Sequence, residues 1–310
     1  MDIEWDACTA PEWDRLSALA GCASLEQSWA YGEALAAVRN CRPRRAVVWQ
    51  GGVPLALVQA FESGAVLPLK PVRILRGPLW LAERVSAVER ARVLRLIKER
   101  YRLGRRELLI WSPELADSPE SCALMRSCGM RRMVTGYATA LLDLTQPLEA
   151  LRTGLRGKWR NRLVAAERSD LDVRVAGGGR DLEWLIEQAD RHRRRHGYLG
   201  TPAALVRALA GIACRNEGVL VLTAAAAGEK VAGAVVIRHA RTATYLLGWS
   251  ADAGRRRNAQ NRLLWRAVTE LRAQGLEWLD LGGINASAPG VARFKLGMGA
   301  RPHVLAGTFI

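Results

Sequence analysis

Several residues are spaced as covalent or metal chemistry would need, but most lack partners. Gly248-Trp249-Ser250-Ala251-Asp252 follows a β-type run and resembles a nucleophile elbow, in which a sharp turn exposes a serine. That elbow needs a second glycine where Asp252 stands, with a helix starting at once. The chain holds four histidines, few from which to build a Ser–His–acid triad, so Ser250 reads as a loop serine. His192 and His196 are four apart on a predicted helix, as metal ligands can be. The residues between them are Arg193, Arg194 and Arg195, which repel a cation, and no Glu takes the metalloprotease position. Gly177-Gly178-Gly179 lacks the Lys-Ser/Thr of a phosphate loop and reads as a flexible connection. Hydrolase, metalloprotease and common nucleotide-binding readings fall away, and no metal or resident cofactor is expected.

One stretch keeps its chemistry. Residues 252–261 (Asp-Ala-Gly-Arg-Arg-Arg-Asn-Ala-Gln-Asn) lead from a strand into a long predicted helix. Backbone N–H groups at a helix start, with the helix dipole and flanking arginines, hold phosphates well. Arg255, Arg256 and Arg257 are therefore the candidates for a donor's phosphates. The alternative is a solvated basic loop.

Bulk properties agree with an anionic partner. The formal net charge is +16 over 310 residues, with arginine well ahead of lysine. Such an excess suits a tRNA, a diphosphate-linked substrate or an anionic membrane face. A solvated basic surface is the plain alternative. Six cysteines are scattered without a CxxC pair, which excludes the usual zinc and redox spacings and fits reduced thiols. The start, Met1-Asp2-Ile3-Glu4-Trp5, lacks a basic–apolar signal pattern, and no apolar run approaches the ~18 residues of a membrane span. A soluble, cytoplasmic protein touching at most the membrane surface is the expectation.

The elements that must position these groups come in one order, twice. In the first half a helix at 28–38 precedes strands at 45–49, 54–61 and 72–75. A helix at 85–101, stopping near Gly104, then leads to a strand at 107–111, a helix at 118–127, Gly129-Met130 and a strand reaching Leu144. The second half opens with a basic helix at 148–168 and a strand at 171–175, then two helices, the last ending near Cys214. Strands at 219–225, 231–239 and 242–247 precede a helix at 258–273 that ends at Gly275. A strand at 277–281, a helical turn at 290–296, Gly297-Met298 and a final strand complete it. The repeated order predicts a mixed α/β fold of two domains, 1–146 and 147–310, each a mixed sheet flanked by helices.

Four blocks give the chain a specific resemblance. They are Arg76-Gly77-Pro78; Lys158-Trp159-Arg160-Asn161-Arg162 with Ala165-Ala166-Glu167-Arg168; Asp280-Leu281-Gly282-Gly283-Ile284; and Phe294-Lys295 with Gly297 and Gly299. In order and spacing they resemble the Fem-type peptidyl transferases, tandem GNAT-like proteins that use aminoacyl-tRNA to build peptidoglycan cross-bridges. The chain resembles the compact members, without an inserted helical arm.

The resemblance implies an acyltransferase moving an aminoacyl group from aminoacyl-tRNA to an amine of a peptidoglycan precursor or similar acceptor. It makes Lys295 the catalytic candidate, with Phe294 shaping the pocket. An amine attacking an ester passes through an oxyanion, which a fixed cation in a dry cleft stabilises. The ester is already activated, so no covalent nucleophile is needed. Asp280 would orient the glycine turn or take the amine proton. Tyr245 falls where the family carries a site tyrosine, Arg195 and Tyr198 where it contacts the acceptor, and Lys158 and Arg160 on its basic helix; the resemblance makes all of them substrate-binding candidates. Two departures stand out: Glu33 replaces a phosphate-binding Lys of the first domain, and residues 256–261 lack the glycines of a coenzyme A pyrophosphate loop. Two other readings remain open. One is an acyl-CoA-dependent N-acyltransferase acting on a polysaccharide, lipid or small metabolite. The other is a retired tandem domain that binds RNA or anionic membrane.

Overall fold

The computed structural model describes residues 1–64, 68–82, 84–101, 106–198, 200–214 and 218–310. The helix end expected near Gly104 lies outside them. The chain divides into two compact units, residues 1–138 with 303–310, and 139–302.

In the first sheet the strand order is Asp2–Trp5, Cys41–Gln50, Val53–Ser63, Lys70–Leu75, Glu107–Ser112, Thr308–Phe309 and Arg132–Val134. In the second it is Asp172–Ala176, Val219–Ala226, Glu229–His239, Thr242–Ser250, Trp278–Gly283, Ala138–Asp143 and Arg301–Val304. These two seven-strand paths correspond place for place, as the repeated pattern predicts; the first sheet adds the short strand Leu79–Trp80, paired with Val53–Ser63 off the path. In the sixth place each sheet takes a strand from the other half of the sequence. The strand expected to close the first half, Ala138–Asp143, thus pairs in the second sheet, ahead of the division expected at residue 146.

Local chemistry explains the elements. The central strands Val219–Ala226 and Glu229–His239 are buried almost throughout rather than on alternate residues, because helices cover both faces. Ala227 and Gly228 join them with φ of 49° and 82°, the backbone of a type I′ hairpin turn. Gly51 and Gly52 make the equivalent turn in the first sheet at 58° and 78°. Helix Ala259–Ala273 buries Leu263, Leu264, Ala267, Val268 and Leu271, a helical stripe that packs with Leu222, Ala234, Val236, Leu279 and Leu281 in one core.

The basic helix expected at 148–168 is two helices, Leu148–Gly154 and Gly157–Glu167. Between them Leu155 and Arg156 are extended; Leu155 is buried and the Arg156 N–H donates to Gly297 O at 2.9 Å. Glycines on either side of the break make it cheap. The stretch 252–261 is likewise not an open loop: a short helix, Asp252–Arg256, ends before Asn258 turns left-handed (φ 53°) ahead of the long helix.

Candidate active site

The second sheet opens at one place. Strands Thr242–Ser250 and Trp278–Gly283 run parallel, in register only through Thr242↔Trp278, Ala243↔Leu279 and Thr244↔Asp280. Both then bulge away from this pairing. Val236 pairs with Tyr245 and Val235 with Leu247, which leaves Leu246 as an extra residue. On the other side, Asp280 pairs with Leu141 and Gly283 with Thr139, again one residue in excess. The carboxyl ends of parallel strands that part company form the crevice in which open α/β sheets bind ligands.

Asp280 frames the second bulge. It is 2% exposed, and its Oδ1 accepts the Gly282 N–H at 2.7 Å and the Thr139 hydroxyl. Gly282 sits at φ 75°, where a side chain is strained, and a Cβ there would stand 3.4 Å from Tyr245 O and 3.5 Å from Lys295 Nζ. The turn presents the Gly283 carbonyl, to which Lys295 Nζ donates at 2.8 Å. Lys295 reaches this point from the last turn of helix Pro289–Leu296 and is 9% exposed. Burial pushes its amine down to about 8, while the Asp280 carboxylate pulls the other way. The ammonium uses one of its three protons on Gly283, so it can donate to charge developing in the crevice.

The remaining predicted residues are placed as follows. The Phe294 ring lies 6.1 Å from that of Trp159. Tyr245 folds over Gly248: a Cβ at 248 would fall 1.7 Å from the Tyr245 hydroxyl oxygen, and burial holds the phenol above its ordinary value. Lys158 and Arg160 are exposed on helix Gly157–Glu167, and the Arg160 guanidinium donates to Thr153 O at 3.3 Å. Arg255 is engaged by Asp252 (2.6 Å) and Arg257 by Asp170 (2.8 Å). Of the three candidate arginines, only Arg256 has no ion pair among the described residues, and it is exposed. Arg195 is exposed near the end of helix Arg180–His196. Tyr198 leaves that end with its hydroxyl 3.2 Å from His192 Nδ1. The His192 and His196 rings lie 4.3 Å apart. Burial, His196 and the nearby arginines 255 and 195 hold the His192 imidazole below its ordinary value.

The structure thus gathers Lys295, Asp280 and the Tyr245 carbonyl around Gly282, while Lys158, Arg160, Arg195 and Tyr198 lie on exposed helix and loop surface. Sequence reasoning missed Thr139, which lies 141 positions from its partner Asp280. It also passed over Trp159, although that residue stands inside the basic block that carried the resemblance.

The first unit treats the equivalent place differently. Lys70–Leu75 and Glu107–Ser112 stay in parallel register over all six residues, and the Arg76 N–H extends the ladder to Ser112 O at 2.8 Å. Arg76 (φ 50°) then turns its guanidinium onto Glu114, with contacts of 2.9 and 3.1 Å, and 3.8 Å from Glu26. Burial opposes the Glu114 charge, but Arg76 and His303 outweigh it and hold the carboxyl below its ordinary value. Trp111 Nε1 donates to Gly77 O at 2.7 Å, and a Cβ at Gly77 would fall 2.6 Å from the Gln27 side chain. Glu33, where a family lysine was expected, pairs with Arg45 at 2.8 Å, and that guanidinium lies 3.6 Å over the Trp29 ring.

Comparisons agree with this architecture. Residues 151–300 match the family described as acetyltransferase (GNAT) domain. The crystal structure of FemX superposes with a TM-score of 0.83 at 13% identity, covering 99% of this chain and 96% of that one. The C-terminal domain of a putative lysylphosphatidylglycerol synthetase from Agrobacterium fabrum gives 0.58 at 15% identity, covering 97% and 91%. A tandem GNAT protein from the clavulanic acid biosynthesis pathway gives 0.54 at 12%, covering 99% and 98%. No curated protein matches the chain. Residues 151–300 thus match the acetyltransferase (GNAT) domain family, and the whole chain shares the fold of FemX and of a tandem GNAT protein.

Proposed function

We propose that the second unit transfers an aminoacyl group from aminoacyl-tRNA to an amine of a peptidoglycan precursor or similar acceptor, in the cytoplasm. The observation that carries this is Lys295: a buried ammonium held on the Gly283 carbonyl at the mouth of the parted strands. The acceptor amine attacks the ester carbonyl carbon, and Lys295 stabilises the oxyanion as it forms. The carbon–oxygen bond to the ribose then breaks and the amide remains. The proton lost by the amine balances the one gained by the ribose oxygen. Phe294 walls the pocket, and Asp280 holds the bulge that aims the Gly283 carbonyl. Lys158, Arg160 and Arg256 meet donor phosphates, and Arg195, Tyr198 and Tyr245 meet the acceptor. The net charge of +16 supports a polyanionic donor. So does the resemblance to the Fem-type transferases.

A second reading rests on one observation: the matched domain is an acetyltransferase type, and its helix Ala259–Ala273 begins just beyond the parted strand. That arrangement suits an acyl-CoA, whose diphosphate would lie at the helix start. The two readings separate when the purified protein is given charged tRNA and acetyl-CoA across a salt series. The aminoacyl reading expects salt-sensitive tRNA binding and transfer that Lys295→Ala lowers by about 10²–10³ in kcat. Tight coenzyme A binding, with acetyl transfer and only nonspecific tRNA affinity, overturns it.

A further inference from the structure

Trp159 stands in the first turn of helix Gly157–Glu167, between the exposed Lys158 and Arg160. Unlike them it is 4% exposed and belongs to the core of the second unit. Its ring lies against Phe294, the residue before Lys295, at 6.1 Å and 37°. On the far side of Lys295, a Cβ at Gly297 would stand 2.8 Å from Trp159 Cδ1. The Arg156 N–H, at the head of the same helix, donates to Gly297 O at 2.9 Å. The basic helix therefore grips the chain on both sides of the lysine.

Two features are hard to explain as stability alone. The Trp159 Nε1 is buried without a hydrogen-bond partner among the described residues, at a cost of about 1–3 kcal/mol that a phenylalanine would avoid. The first turn of the helix also carries no acidic residue. Arg156 caps that turn and Lys158 and Arg160 follow, so positive charge collects at the end where the helix dipole disfavours it.

We propose that Trp159 is a positioning residue. It sets the depth of Lys295 in the crevice and keeps the lysine in register with the cationic helix face, so that a polyanionic donor held by Lys158 and Arg160 arrives aligned with the reacting amine and lysine. The alignment to a donor rests on the function proposed above; the positioning of Lys295 does not.

The test reads Lys295 directly in the full chain. Acylation of its amine by acetic anhydride is followed across pH by mass spectrometry of the Lys295 peptide. The parent should show a midpoint near 8. In Trp159→Leu, loosened packing admits water, and the midpoint should rise by about one pH unit or more. With whichever donor is turned over, kcat should fall at least about tenfold while the donor KM changes little. Trp159→Phe should recover part of both effects. Lys158→Ala with Arg160→Ala should raise the donor KM and leave the midpoint in place. A folded Trp159→Leu with parental midpoint and kcat overturns the proposal. If that variant does not fold, Gly297→Ala presses on the same contact from the other side, and an unchanged midpoint there overturns it equally. Because the labelling needs no donor, a shifted midpoint without tRNA-dependent transfer keeps the positioning role and removes only the donor reading.

Discussion

The two units arrange the same order of strands to opposite ends. In the first, the parallel pair runs to its last residue and the space beyond is filled by Arg76, Glu114 and Gln27, each charge answered. In the second, the pair parts after Thr244 and Asp280, and the gap receives a buried lysine whose nearest partner is a carbonyl. A closed ladder with paired charges is what stability favours. An open one holding a cation against burial is what a reaction centre needs, because the charge must be free to meet another that appears only in the transition state. With the proposed function, the contrast leaves structural work to the first crevice and chemistry to the second.

The largest expected effect falls on the closed side. Arg76→Ala leaves the Glu114 carboxylate buried beside a half-exposed histidine, and urea unfolding should show a loss of about 3–5 kcal/mol. Transfer per folded molecule should persist; loss of transfer at parental stability would break the contrast. On the open side the sign reverses. Lys295→Met should stabilise the fold, by on the order of 3 kcal/mol at neutral pH, since the folded state holds the lysine near 8 rather than at its ordinary 10.5. Below pH 8 both states are protonated and the penalty is full. Between 8 and 10.5 the folded chain has lost its proton and the unfolded chain has not, so the penalty fades as pH rises. The melting temperatures of parent and variant should therefore converge across that window. A variant less stable than the parent at neutral pH would show that the lysine is structural. The smallest effect sharpens the picture of the bulge. Thr139→Val removes one hydrogen bond to a buried carboxylate and should cost about 1.5–3 kcal/mol in thermal or urea unfolding. It should also lower turnover as Gly283 loses its aim; unchanged kinetics would reduce Asp280 to strand packing.

The parts readable from sequence were those whose chemistry is local. Asp280-Leu281-Gly282-Gly283 and Phe294-Lys295 were legible as contiguous blocks through their resemblance to the Fem-type transferases, and hydrophobic period exposed the repeated order of elements. What escaped depended on distant pairing. Thr139 meets Asp280 only because Ala138–Asp143 joins the second sheet, which no local pattern predicts. The break in the basic helix at Leu155 and Arg156 follows from burial of Leu155 and a bond to Gly297, both tertiary, with the flanking Gly154 and Gly157 as its local signal. The pairing of Arg257 was equally hidden, since Asp170 lies 87 positions away, whereas the Asp252 that engages Arg255 stands only three residues before it.

The sixth strand of each sheet has a practical meaning for anyone making the protein. Thr308, which bonds Ser112 at 2.8 Å, is translated 196 positions after it. The first sheet cannot be completed on the ribosome until nearly the whole second half has been synthesised, and for that interval Glu107–Ser112 presents an unpaired edge. Expression of residues 1–138 alone should give an aggregation-prone fragment, and supplying residues 303–310 as a peptide or a short fusion is the direct way to rescue it.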